Sequence, residues 1–157
     1  MGSALSTRQQ VLDTLSAHGI SGAEVYLLDA VPLIELAWAD GEVHPAERAM
    51  ILSFVEHLMV KLRAEAGYNV VTHAQALAFI DRLTTERPSR LDFSVWLQCL
   101  KTLRLSGKDR RARLDAIVEG MHAVGAVAPS PAYRTIDWDE REVLCFMRLE
   151  STLRHDD

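Results

Sequence analysis

Leu33-Ile34-Glu35-Leu36-Ala37-Trp38-Ala39-Asp40-Gly41-Glu42-Val43-His44-Pro45-Ala46-Glu47 joins two apolar-periodic segments through a turn that carries its own stop and start signals. Trp38 and Ala39 close the first segment. Gly41 supplies positive φ without a Cβ clash. Pro45 suits the first position of the next helix. Glu47 falls at its third, where a carboxylate reaches back to the backbone N–H of the cap residue. With Val43 turned toward the core, the stretch reads as an antiparallel helical hairpin with a short loop. It also gathers three carboxylates, Asp40, Glu42 and Glu47, around one turn.

Outward from this hairpin the apolar period stays helical. Val25, Leu28, Val31, Leu33 and Ile34 precede the turn, and Ile51, Phe54, Val55 and Leu58 follow it, at i, i+3, i+4 spacing. The same spacing recurs in Trp96, Leu97, Leu100 and Leu103, in Leu114, Ile117, Val118 and Met121, and in Val143, Leu144, Phe146 and Met147. β-Branched runs are confined to patches such as Val70-Val71, so the predicted fold class is all-α. Capping frames mark the helix starts at Ser6-x-x-Gln9, Ser21-x-x-Glu24, His44-Pro45-Ala46-Glu47, Thr72-x-x-Gln75 and Asp137-x-x-Glu140. Gly19, Gly41, Gly67 and Gly125 mark stops.

The pattern predicts about seven helices, over 5–18, 22–39, 45–64, 73–85, 91–105, 108–124 and 138–154, in a single compact domain spanning 1–157. Pro32 is expected to kink the second helix or shift its true start. Residues 1–4 are expected to be disordered, and 125–136, with Pro129 and Pro131, to form a loop.

A chain of 157 residues with 48% hydrophobic content is long enough to bury one core of its own. A formal net charge of −5 argues against nucleic acid as the main partner. No window reaches the roughly 18 apolar residues needed to span a bilayer, which leaves only peripheral membrane association. The first ten residues lack a basic region followed by an apolar one, so no secretory signal is expected. Cys99 and Cys145 stand alone within apolar helical patterns and read as reduced core thiols. The expected compartment is the cytoplasm.

Helix capping explains Glu47, Asp137 and Glu140, since a carboxylate in a first helical turn meets the positive end of the dipole. Asp40 is different. At the end of a helix it meets the negative end, and Glu42 beside it adds like charge. A cation, or an arginine from elsewhere, would compensate both. The spacing resembles the second half of an EF-hand loop, with Asp40 at the fifth ligand position and Glu47 at the twelfth. Leu36 and Trp38 would then occupy the first and third positions, and neither can ligate. An ion here needs ligands from elsewhere in the chain, and Asp137, Asp139 and Glu140 are the candidates.

Residues 33–47 resemble the signature of TerB-like tellurite-resistance proteins, in which an Ala-Asp-Gly-x-Val-x-x-x-Glu segment is followed later by an acidic helix start. Ala39-Asp40-Gly41-Glu42-Val43 with Glu47 carries the first motif, and Ile136-Asp137-Trp138-Asp139-Glu140 shares the acids of the second. The resemblance implies an all-helical domain of about this length and a non-enzymatic role in tellurite resistance or a related stress response. Another protein of such a system is the implied partner. The resemblance also implies a divalent-cation site at Asp40, Glu42, Glu47, Asp137 and Glu140. Their hard oxygens favour Ca²⁺, Mg²⁺ or Mn²⁺.

Other chemistry is thinly written. His18, His44, His57, His73, His122 and His155 are scattered, and Glu56-His57 lacks the second histidine of a zinc-protease helix. His44 reads as a solvent-facing helix-start residue. Neither a phosphate-cradling glycine loop nor a nucleophile elbow is written in the chain, so an enzyme is not expected. Lys101, Arg104, Lys108, Arg110, Arg111 and Arg113 form a basic segment, read as a solvated face that pairs with the chain's own acids. Trp38 and Trp138 flank the two acidic motifs and read as core. The rival to the cation-binding reading is a helical protein–protein interaction module with no metal site, in which the acids only cap helices.

Overall fold

Pro32 decides how the chain enters the hairpin. In a computed structural model that describes residues 4–127 and 140–155, it sits in the first turn of a short helix, where its missing N–H costs nothing. The residues before it wind as a 3₁₀ helix, so the expected helix 22–39 is two elements. The element order is α1 (Ala4–Ala17), the 3₁₀ segment Gly22–Ala30, α2 (Val31–Ala37), α3 (Pro45–Ala66), α4 (His73–Thr85), α5 (Arg90–Leu103), α6 (Arg110–Val127) and α7 (Glu140–Arg154). The fold is all-α, with no strand among the described residues.

Helix ends follow local chemistry, with corrections. Thr72 and Gln75 cap α4 reciprocally: the Gln75 N–H donates to Thr72 Oγ1 at 3.1 Å, and the Thr72 N–H to Gln75 Oε1 at 2.9 Å. Ser21 makes no such bond. Its expected partner Glu24 instead takes both guanidinium nitrogens of Arg82, at 2.9 and 3.0 Å, and ties the 3₁₀ segment to α4. Gly67 ends α3 at φ 83°, donating to Arg63 O at 2.8 Å. Gly125 does not end α6. It is buried within the helix, which runs on to Val127. Ala4 and Ser6 already belong to α1. The rest of the expected loop 125–136 lies outside the described residues, as do Asp137 and Trp138.

One contiguous core runs from Leu15 to Leu153. Leu33, Ile34 and Leu36 of α2 are fully buried at its centre. α3 and α6 pack across α2 at close range, because Gly120 presents no side chain: a Cβ there would fall 2.8 Å from Phe54 Cδ2 and 2.9 Å from Leu33 Cδ2. α1 lies on α5, and α7 lies on α2 and α6. α7 buries Phe146, Leu149 and Leu153 and leaves Leu144 and Met147 about 60% exposed. No helix among the described residues is long and apolar enough to cross a membrane.

Candidate functional site

The acidic turn begins where α2 unwinds. Trp38 caps that helix, and Ala39 and Gly41 donate to Leu36 O and Trp38 O at 3.0 and 2.9 Å. Gly41 turns the chain at φ 101°. Asp40 therefore stands beyond the helix end rather than in its last turn, and its Oδ1 accepts the Glu42 N–H at 3.3 Å. This local bond eases the dipole conflict that the sequence suggested.

His44 is the group seated between the two acids. Its Nε2 lies 3.2 Å from Asp40 Oδ2 and its Nδ1 3.4 Å from Glu42 Oε1. The ring is half-buried between the two acids, not directed to solvent, and its Nε2 shares a hydrogen bond with Asp40 Oδ2. Glu42 is largely solvated, at 72% exposure. Glu47 is the opposite, fully buried, with Oε1 accepting the His44 N–H at 2.9 Å across the start of α3. Asp40, Glu42, His44 and Glu47 thus form one hydrogen-bonded turn. Glu140 opens α7, but its side chain, like all of Asp137, lies outside the described residues. Among the described residues, no three His, Cys, Asp or Glu side chains come together as a metal-holding group.

The basic segment is not a uniform solvated face. Arg104 is buried, and its Nε donates to Asp29 Oδ1 at 3.0 Å. Arg113 donates to Arg104 O at 3.0 Å. Arg110 reaches Arg154 O at 3.0 Å and so closes the C-terminus of α7, where a cation meets the negative end of the helix. These arginines fasten elements together.

Two cavities stand out among the described residues. One, of about 350 Å³, opens between α3 and α6 over Met50, Phe54, Leu58 and Leu62, with the Asp29–Arg104 pair at its edge. The other, of about 700 Å³, lies between α5 and α7, where Arg87, Arg90, Arg141 and Arg148 share the wall with Glu35. Arg148 pairs with Glu35 Oε2.

No protein-family model, curated protein or solved structure matches this chain.

The chemistry of the second cavity is not apparent from sequence. Arg141 and Arg148 are two helical turns apart, and Arg87 and Arg90 bracket the Ser89 cap of α5, whose Oγ accepts the Asp92 N–H at 3.0 Å. Each pair is visible as a spacing. Their convergence depends on α7 lying beside α5, which no local pattern encodes. Cys145 in the same wall is only partly buried, against the expectation of a core thiol. Burial nevertheless pushes its pKa up to about 11; Glu35 adds to the rise and Arg148 opposes it. Two units above an ordinary thiol leaves about one-hundredth of the thiolate at pH 8. Iodoacetamide should therefore alkylate Cys145 about a hundredfold more slowly than a free cysteine at pH 8, the rate rising until about pH 11; mass spectrometry of the Cys145 peptide checks this.

Proposed function

We propose that the chain is a non-enzymatic helical interaction module in which the acidic turn is a structural clasp between α2 and α3. The observation that carries this reading is the seat of His44, with ring nitrogens facing Asp40 at 3.2 Å and Glu42 at 3.4 Å. Both acids thus have a nitrogen-bearing neighbour inside the turn. Glu47 adds the cap of α3 from a buried position. The protonated thiol of Cys145 supports a non-catalytic role. Leu144 and Met147 of α7, both exposed, supply the apolar surface offered to a protein partner.

A second reading rests on the gathering of Asp40, Glu42 and Glu47 on one turn. It takes the chain as a TerB-like cytoplasmic stress or tellurite-resistance component. A Ca²⁺, Mg²⁺ or Mn²⁺ ion would be held by Asp40, Glu42 and Glu47 with Asp137 and Glu140. In this reading the ion is the counter-charge of the acids.

Calorimetric titration with each ion, paired with thermal unfolding, separates the two. The clasp predicts no binding tighter than millimolar. It also predicts that Glu47→Ala costs about 1–2 kcal/mol through the lost cap, equally in EDTA and in excess Mn²⁺. Micromolar binding of any of the three ions, abolished by Asp40→Ala, would overturn it in favour of the TerB-like reading.

A further inference from the structure

The cavity between α3 and α6 has an apolar floor and a buried ion pair at its edge. Met50, Phe54, Leu58 and Leu62 of α3 form the floor, and Ala116 and Ala123 of α6 line it with single methyl groups. Such short side chains leave open the space that a leucine at either position would occupy. A cavity of about 150 Å³ already accepts benzene. At about 350 Å³ this one has room for two fused rings, within the range of small-molecule sites.

The ion pair sets the polar end. Asp29 and Arg104 both line the cavity, although their side chains are only 4% and 9% exposed. One hydrogen bond joins them, from Arg104 Nε to Asp29 Oδ1. The terminal nitrogens of Arg104 and the second oxygen of Asp29 make no hydrogen bond with the described residues. None of these atoms is closed off from solvent without a partner. What they meet is the content of the cavity. The pair thus offers N–H donors and a carboxylate acceptor side by side. An anion that approaches Arg104 is repelled by Asp29, and a cation that approaches Asp29 is repelled by Arg104. A neutral head with one acceptor and one donor satisfies both, and a carboxamide edge supplies them. The described residues of the mouth repeat the mixture, with Lys61 and Arg113 against Glu65 and Glu119.

We infer that the α3–α6 cavity is a binding site for a small neutral molecule with an apolar ring body and a carboxamide edge. The rings lie over Phe54 and Leu58. The amide oxygen accepts from Arg104, and the amide N–H donates to Asp29, both through charge-assisted hydrogen bonds. The acidic turn takes no part, so the assignment stands whichever reading of that turn holds.

Isothermal titration of the full chain tests this with three probes of one shape: 2-naphthamide, 2-naphthoate and 2-naphthylmethylamine. The amide is expected to bind in the micromolar range and at least about tenfold more tightly than either ion, the value of a hydrogen bond to a charged group. Asp29→Leu with Arg104→Met should weaken the amide at least about tenfold while 2-methylnaphthalene binds no more weakly than before, a split that a collapsed cavity would not give. Ala116→Leu should weaken every probe, because its side chain takes the place of a ring. Val60→Ala, an exposed apolar change on α3, should alter none of them. Absence of binding below millimolar, either ion binding as tightly as the amide, amide affinity unchanged by the double variant or by Ala116→Leu, or an equal loss with Val60→Ala would each overturn the assignment. If Ala116→Leu unfolds, Ala123→Leu takes its place. If the double variant unfolds, the three probes on the unaltered chain still decide.

Discussion

Asp29→Ala is expected to cost about 3–5 kcal/mol of folding stability, the penalty for leaving one member of a buried ion pair alone. Asp29 lies in the 3₁₀ segment and Arg104 at the end of α5, and their side chains are 4% and 9% exposed. The guanidinium left behind would keep only the water of the cavity at whose edge it lies. It is held over the Tyr26 ring at 5.7 Å, and the Arg104 backbone is fixed by Arg113. Replacing both charges together, Asp29→Leu with Arg104→Met, should recover most of the loss, because an apolar pair of similar bulk avoids the desolvation cost altogether. Urea unfolding followed by circular dichroism measures both variants. A loss below about 1 kcal/mol for Asp29→Ala would mean that water reaches the pair and that its burial contributes nothing.

Trp38→Ala should be nearly as damaging, at about 4 kcal/mol, since truncating a core tryptophan forfeits its packing and leaves a void. The indole also acts as a donor. Its Nε1–H donates to Leu83 O at 2.8 Å, in the last turn of α4, where helix carbonyls have run out of intrahelical donors. Trp38 therefore caps α4 from the side while closing α2. Trp38→Phe isolates the hydrogen bond, because most of the packing stays while the carbonyl loses its donor, and about 1 kcal/mol is lost. Guanidinium titrations of the three proteins give the comparison. If Trp38→Phe and Trp38→Ala destabilise equally, the indole bond rather than packing dominates.

The helical class and most boundaries are legible because they rest on local signals. Thr72 with Gln75, Pro45 with Glu47, and Gly67 each act through atoms a few residues away, and each stands where the spacing predicts it. Ser21 and Glu24 fit the same frame, yet Arg82 of α4 competes for the carboxylate and wins it. Gly125 resembles a stop because a glycine after an apolar run usually is one; here burial within α6 keeps it helical. The candidate cation site rests on charge alone in the sequence. A count of acids leaves out the ring of His44, which at a helix start is expected to face solvent and instead sits between Asp40 and Glu42. The arginines mislead for a related reason. Arg104, Arg110 and Arg113 are close in sequence, and that closeness suggests a shared face. Their targets (Asp29, the end of α7 and the end of α5) lie in three directions.

The 3₁₀ segment touches α2, α3, α4, α5 and α6. Its i→i+3 hydrogen bonds are individually poorer than those of an α-helix, so taken alone it would be the first element to exchange its amide protons. Its position reverses that order. Val25, Leu27, Leu28 and Ala30 are all buried, and no surrounding helix can be lifted without uncovering them. Amides of residues 24–30 should thus exchange only through global unfolding, at the slowest rates in the molecule, as the weakest helix becomes the last to open.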